Sequence, residues 1–322
     1  MPELLPTAAI PWTDPTDIAF SPFGDVRGIG AIVPADGSLF DQRISHCYTG
    51  AKLDSSDGEI SRCRLFNHRD ACLWIAASAG NCQSLNNHCY GARIACYNEG
   101  GAQYRAVNDT YADAFVGHLG DWQGGGSNQS TLTNVLFQHN TVADCVFKAT
   151  GCHLNNCIVN VQRDVKQWNT IDLPGIITRT GKIGVVLGTR CSIRGGTVEL
   201  CGYKHTSHEY SGKPATAIVV WGDDVVIDTY LVDDDGVDGS IGIEMQGDRR
   251  CLRADCIVTG FHEPAARIFV AKGKCNGIDL TFRLDHMAKP PAGYIDVRPD
   301  FTGSIRLIDT STGKTVALGR AA

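Results

Sequence analysis

A short phrase recurs along most of this chain: a Cys, or another small or apolar residue, then one spacer, then Ile, Leu or Val. It stands at Cys63-Arg64-Leu65, Cys152-His153-Leu154, Cys191-Ser192-Ile193 and Val225-Val226-Ile227, and is counted again at Cys251-Leu252-Arg253. Looser copies begin at Cys82, Tyr104, Leu132 and Cys275, and successive starts from Cys63 lie 19, 22, 28, 20, 39, 34, 26 and 24 residues apart. Very short alternating runs returning at a period near twenty imply a solenoid in which each turn is a few strands. Such a fold buries its core by stacking coils, which leaves the outer faces and loops available for binding.

The repeat runs from residue 25 to 299 without a convincing linker, so the reading is one β-solenoid domain preceded by a segment over 1–24 and followed by 300–322. Pro2, Pro6, Pro11, Pro15 and Pro22, with Trp12, Phe20 and Phe23 among them, make 1–24 an extended arm that attaches elsewhere or caps the first coil. The run around Ile305, a turn over Ser311 to Lys314 and a second run around Val316 predict a β-hairpin that closes the far end, since a bare terminal coil offers unpaired edges. Asn or Gly before a strand, as at Asn81 and Gly151, marks a turn that needs left-handed backbone. The intervals of 28, 39 and 34 residues exceed one coil, and composition places their insertions at 117–130, 163–180 and 203–213.

The net charge of −6 argues against a general affinity for nucleic-acid phosphates. No apolar stretch is long enough to span a bilayer, and no charged region followed by an apolar core opens the chain, so secretion is not expected. The sequons at Asn108 and Asn128 then carry no weight. Many of the 14 cysteines share a phase of the repeat, and free Cys behaves as a small buried hydrophobe. A ladder of core thiols in a chain made in a reducing cytoplasm is therefore expected. A metal site is the alternative, because Cys152 and Cys157 lie near His153, and Cys251 and Cys256 near His262. With no CxxC pair in the chain, neither a metal nor another cofactor is expected.

The coil phrases at Cys63, Cys152, Cys191 and Cys251, with the run Gly239-Ser240-Ile241-Gly242-Ile243-Glu244-Met245-Gln246-Gly247-Asp248, resemble the right-handed parallel β-helix of pectate-lyase-like proteins, above all the tailspike and related virion proteins of bacteriophages. The resemblance covers 25–299 and is one of pattern. It implies an all-β, single-stranded right-handed parallel β-helix with the N-terminal arm and the C-terminal hairpin as cap. It also implies a homotrimer in a virion, made in the host cytoplasm. The arm would meet other virion proteins, and the β-helix would bind host surface polysaccharide. Two alternatives stay open: a polysaccharide-degrading hydrolase or lyase, and a structural capsid or tail component.

Hydrolysis of a glycan needs two carboxyl groups about the scissile bond, one protonated and one ionised. The densest acidic stretch supplies Asp228, Asp233, Asp235 and Glu244 as catalytic candidates, with Asp228 and Glu244 at outward strand positions and a turn between them. A solvated acidic turn explains the same residues. Trp122, Trp168, Tyr203 and Tyr210 fall in the insertions and are candidates for stacking on sugar rings, or for a subunit interface. Trp221, after Ile218-Val219-Val220, is expected to be buried. His205 and His208 have no zincin spacing.

Overall fold

Each coil turns corners at which one residue takes left-handed backbone, and these residues stack from coil to coil. A computed structural model describes residues 28–99, 103–114, 116–120, 130–138, 140, 142–146, 152–162, 182–201, 215–233 and 239–320. At one corner Asp41, Arg62, Asn86, Asn108, Asn134 and Asn156 all have φ between +51 and +57. Left-handed backbone costs an ordinary L residue about 1–2 kcal/mol, and Asn and Asp tolerate it best because their short polar groups bond locally. The Asn108 amide donates to Asn86 Oδ1 at 3.2 Å, and the Asn134 amide to Asn108 Oδ1 at 3.1 Å. The corner that precedes each following strand carries Asp36, Asp57, Asn81 and Gln103, again with positive φ, as expected at Asn81.

Between the corners the strands form a parallel β-solenoid. An eleven-stranded sheet runs from Ile29–Val33 to Ile295–Val297, with every pairing parallel. A second sheet of eighteen strands takes two short strands from each early coil, such as Glu59–Ser61 and Arg64–Phe66. From Ser192–Cys201 onward a single longer strand serves each coil. Gly195 and Gly196 bend that strand at φ +64 and +72, and a Cβ on Gly196 would lie 2.1 Å from the Cys157 carbonyl oxygen. The three long intervals leave the ladders in step: Val107 pairs with Thr133, His153 with Ser192, and Ser192 with Val226. The extra residues are therefore looped out between strands.

At the C-terminal end Gly303–Asp309 pairs antiparallel with Thr315–Arg320, the predicted hairpin. Asp309 organises its turn. Its Oδ1 accepts the Ser311 hydroxyl at 2.6 Å and the Ser311 and Thr312 amides at 2.9 and 3.1 Å, which hold its carboxyl down at about 2. The arm over 1–24 lies outside the described residues, and among those described no helix is long and apolar enough to cross a membrane.

The interior is one apolar column, with Ile60, Leu65, Leu73, Tyr104, Tyr111, Phe137, Ile218 and Phe282 fully buried. Twelve described cysteines are free, and all but Cys251 are buried. Several thiols donate to backbone carbonyls of their own or the preceding coil, as Cys63 does to Ser61 and Leu39. Burial raises the pKa of Cys47, Cys63, Cys82 and Cys275, and that of Cys256 to about 12. Cys251 is the correction. It sits on a left-handed corner at φ +58 with its side chain exposed, and Leu252, one residue later, takes the core position.

Candidate functional site

The four acidic candidates do not converge. Asp228 is exposed on the outer face of the eighteen-stranded sheet, registered beside Arg194. Asp233 ends the same strand and is buried. Asp235 lies outside the described residues. Glu244 belongs to the other sheet, where the alternation of Ile241–Met245 puts it in the outward row with Val219 and Val270. The expected solvated position is nevertheless covered: Glu244 is 0% exposed, with Val186, Val219 and Val270 also buried. Its Oε1 accepts Lys272 Nζ at 2.6 Å and Gln246 Nε2 at 3.0 Å, while Oε2 is buried without a hydrogen-bond partner. Asp228 and Glu244 thus stand on different sheets, and the turn between them does not fold them into a pair about one bond.

Another buried carboxyl lies in the core. Asp109 is 1% exposed and accepts the Ser84 hydroxyl, the Asn87 amide at 2.7 Å and the Tyr111 hydroxyl at 3.0 Å. Tyr104 and Tyr111 hydroxyls are 3.1 Å apart. Desolvation outweighs these donors and raises the Asp109 pKa to about 6. No substrate reaches a group inside the column, so this network is structural.

Trp122, Trp168, Tyr203 and Tyr210, with His205 and His208, lie outside the described residues. Trp221 is half-buried under the Arg249 guanidinium, 5.5 Å from its ring centre. The aromatic feature that the described coils do build is elsewhere. Lys52, Trp74 and Tyr97 occupy matched positions in three successive strands of the eleven-stranded sheet. Each follows an inward residue and precedes another (Ala51 and Leu53, then Leu73 and Ile75, then Cys96 and Asn98), so the three point outward. All are partly exposed, and the row continues to Ile32, which is 57% exposed. Lys52 Nζ lies 4.4 Å from the Trp74 ring centre and is ion-paired with Asp54. The Trp74 indole N–H donates to Glu99 Oε2 at 3.0 Å. The result is an oriented indole with a cation over one face of its ring and a carboxylate at its N–H edge, which places donors and acceptors for hydroxyl groups beside an aromatic ring.

Another ring pair, Phe66 and Tyr90, stacks at 5.4 Å and 11° under Arg43. Phe66 is only 7% exposed, so those rings mainly serve each other. The sequence does carry a signal for Trp74, namely its place in the alternation of Ala71–Ile75, but attention to the insertions passes over it.

Neither a protein-family model nor a curated protein matches this chain. Among solved structures it is similar to the catalytic domain of a GH87 alpha-1,3-glucanase in complex with tetrasaccharides, at TM-score 0.48 and 10% identity over 84% of this chain and 55% of that one. It is also similar to the tailspike protein gp49 from Pseudomonas phage LKA1, at TM-score 0.37 and 10% identity over 86% of this chain and 49% of that one. The chain therefore spans about half the length of each of these structures.

Proposed function

We propose that this chain is a polysaccharide-binding β-helix of the bacteriophage virion type. In this reading it is a homotrimer joined to the particle through residues 1–24, and it holds host surface glycan on the outward row of the eleven-stranded sheet. The observation that carries the reading is Trp74: a half-exposed indole on a rigid strand, held by Glu99 and flanked by Lys52. Pyranose rings have apolar faces edged by hydroxyls, so an aromatic ring with a carboxylate at its N–H edge and an ammonium over one face offers partners to both parts of a sugar. Rigid strands support this better than loops, because little entropy is lost on binding. Assembly finds support in a separate strip, where Ile158, Tyr230 and Ile257 line up in register on the outer face of the other sheet, 51%, 49% and 38% exposed. Apolar residues aligned in this way suit a subunit contact.

The test incubates purified protein with a panel of capsular and O-antigen polysaccharides, then reads retention of intact chains and any shortening. Retention without shortening is expected. Failure to retain any member would overturn the reading. Shortening that is lost in Asp228→Asn or Glu244→Gln variants would replace it with a depolymerase built on those carboxyl groups.

A further inference from the structure

Two successive coils near the C-terminal hairpin bring together three side chains of metal-ligand type. Gly260 and Phe261 both take left-handed backbone, at φ +83 and +58, and the Phe261 ring is fully buried. The corner is thus pinned from inside, and His262 follows it at the surface. One coil on, the Asp285 amide donates to the Val258 carbonyl at 3.1 Å, setting Asp285 and His286 beside His262. The Thr310 hydroxyl ties the Leu284 and Asp285 carbonyls to the next coil at 2.8 and 3.2 Å. Asp285 Oδ1 accepts the His286 amide at 2.9 Å, which leaves Oδ2 to face both imidazoles. His262 Nε2 is 3.5 Å and His286 Nδ1 3.6 Å from that oxygen, and one ligand atom from each residue lies within 4.8 Å of the other two.

We propose that His262, Asp285 and His286 bind a divalent ion of the zinc class, clipping two coils together at the surface. The separations carry the argument. At 3.5 and 3.6 Å the nitrogens are too far from the carboxylate for good hydrogen bonds. Ligands held about 2.0–2.1 Å from a tetrahedral ion stand roughly 3.3–3.4 Å apart, so each nitrogen already lies within tenths of an ångström of that separation from Oδ2. The ring centres are 4.2 Å apart and tilted by 34°, so both imidazoles lie beside the same carboxylate oxygen. His262 Nδ1 is buried, so this ring meets solvent through Nε2. Two nitrogens and one oxygen suit zinc and its late first-row neighbours, whereas calcium and magnesium ask for oxygen ligands. Side-chain exposures of 33%, 36% and 52% leave the remaining position to water. His262 does not group with Cys251 and Cys256, since Cys256 belongs to the core.

The proposal is independent of glycan binding and is tested on the full chain. Protein stripped by a chelator is titrated with Co²⁺ as the optical probe and then with Zn²⁺ as competitor, for the wild type and for His286→Gln, whose exposed side chain can change without loss of fold. Wild type is expected to bind one more Co²⁺ per chain than His286→Gln, with visible bands lacking thiolate charge transfer and displaced by Zn²⁺. A Zn²⁺-dependent rise in the thermal midpoint is expected in wild type alone. Equal stoichiometry in the two proteins, or bands dominated by thiolate and unchanged by the substitution, would overturn the proposal.

Discussion

Trp74 and Glu99 meet across one coil boundary at 3.0 Å, an indole N–H held by a carboxylate 25 residues downstream. The contact exists because parallel stacking brings the end of one ladder strand beside the corner of the next. It ties the orientation of an outward aromatic ring to coil register, so a slip of one residue would turn Trp74 into the core.

The stacked interior makes a prediction about thiols. In the folded protein an alkylating reagent should label Cys251 rapidly, whereas Cys63, Cys72, Cys89, Cys96 and Cys256 should react only after denaturation, because all five are buried and burial raises the pKa of Cys63, Cys72, Cys89 and Cys256. Peptide mass analysis of labelled protein reads this directly. Fast labelling of Cys89 or Cys96 would contradict the core assignment.

The ion pair of Glu244 and Lys272 is asymmetric, with side-chain exposures of 1% and 51%. Removing the cation strands a buried carboxylate. Lys272→Met should therefore cost about 2–3 kcal/mol, less than the roughly 3–5 kcal/mol of a fully buried pair because water reaches the lysine side. The double variant Glu244→Gln with Lys272→Met should recover most of that loss. Urea unfolding of wild type, single and double variants gives the comparison. A single variant as stable as wild type would show that the pair is dispensable.

Asp109 makes stability depend on pH. Its folded pKa of about 6 lies above its ordinary value of 3.8, so between these limits the folded state holds a proton that the unfolded chain has released. The stabilisation is full below about pH 4 and is lost as pH rises through 6, amounting to roughly 3 kcal/mol at about 1.4 kcal/mol per unit. The difference in unfolding free energy between wild type and Asp109→Asn should move in favour of wild type on going from pH 7.5 to 4.5. A difference independent of pH would remove Asp109 from this role.

The solenoid was legible because its physics is local and repeated. Cys63, Cys152 and Cys191 fall just before inward aliphatics, and Asn81 occupies a corner whose backbone few other residues accept. Cys251 misled because a shift of one residue moves a side chain from the core to a corner, and composition does not register that slip. Glu244 was assigned to the correct side of its strand. Alternation, however, tells which way a side chain points, not whether that face is covered, and Val186, Val219 and Val270 are covered too. Trp74 and the trio of His262, Asp285 and His286 depend on contacts between residues 22 to 25 positions apart, which a reading of neighbouring residues does not bring together.

The most direct test of the binding face is a titration with whichever polysaccharide the protein retains, comparing wild type with Trp74→Ala and with Phe40→Ala as control. Phe40 is 47% exposed on the other sheet. Trp74→Ala should weaken binding at least tenfold, about 1.4 kcal/mol, with its far-UV spectrum unchanged, while Phe40→Ala binds like wild type. Undiminished binding by Trp74→Ala, or equal losses in both variants, would contradict the assignment of glycan to the Lys52, Trp74 and Tyr97 row.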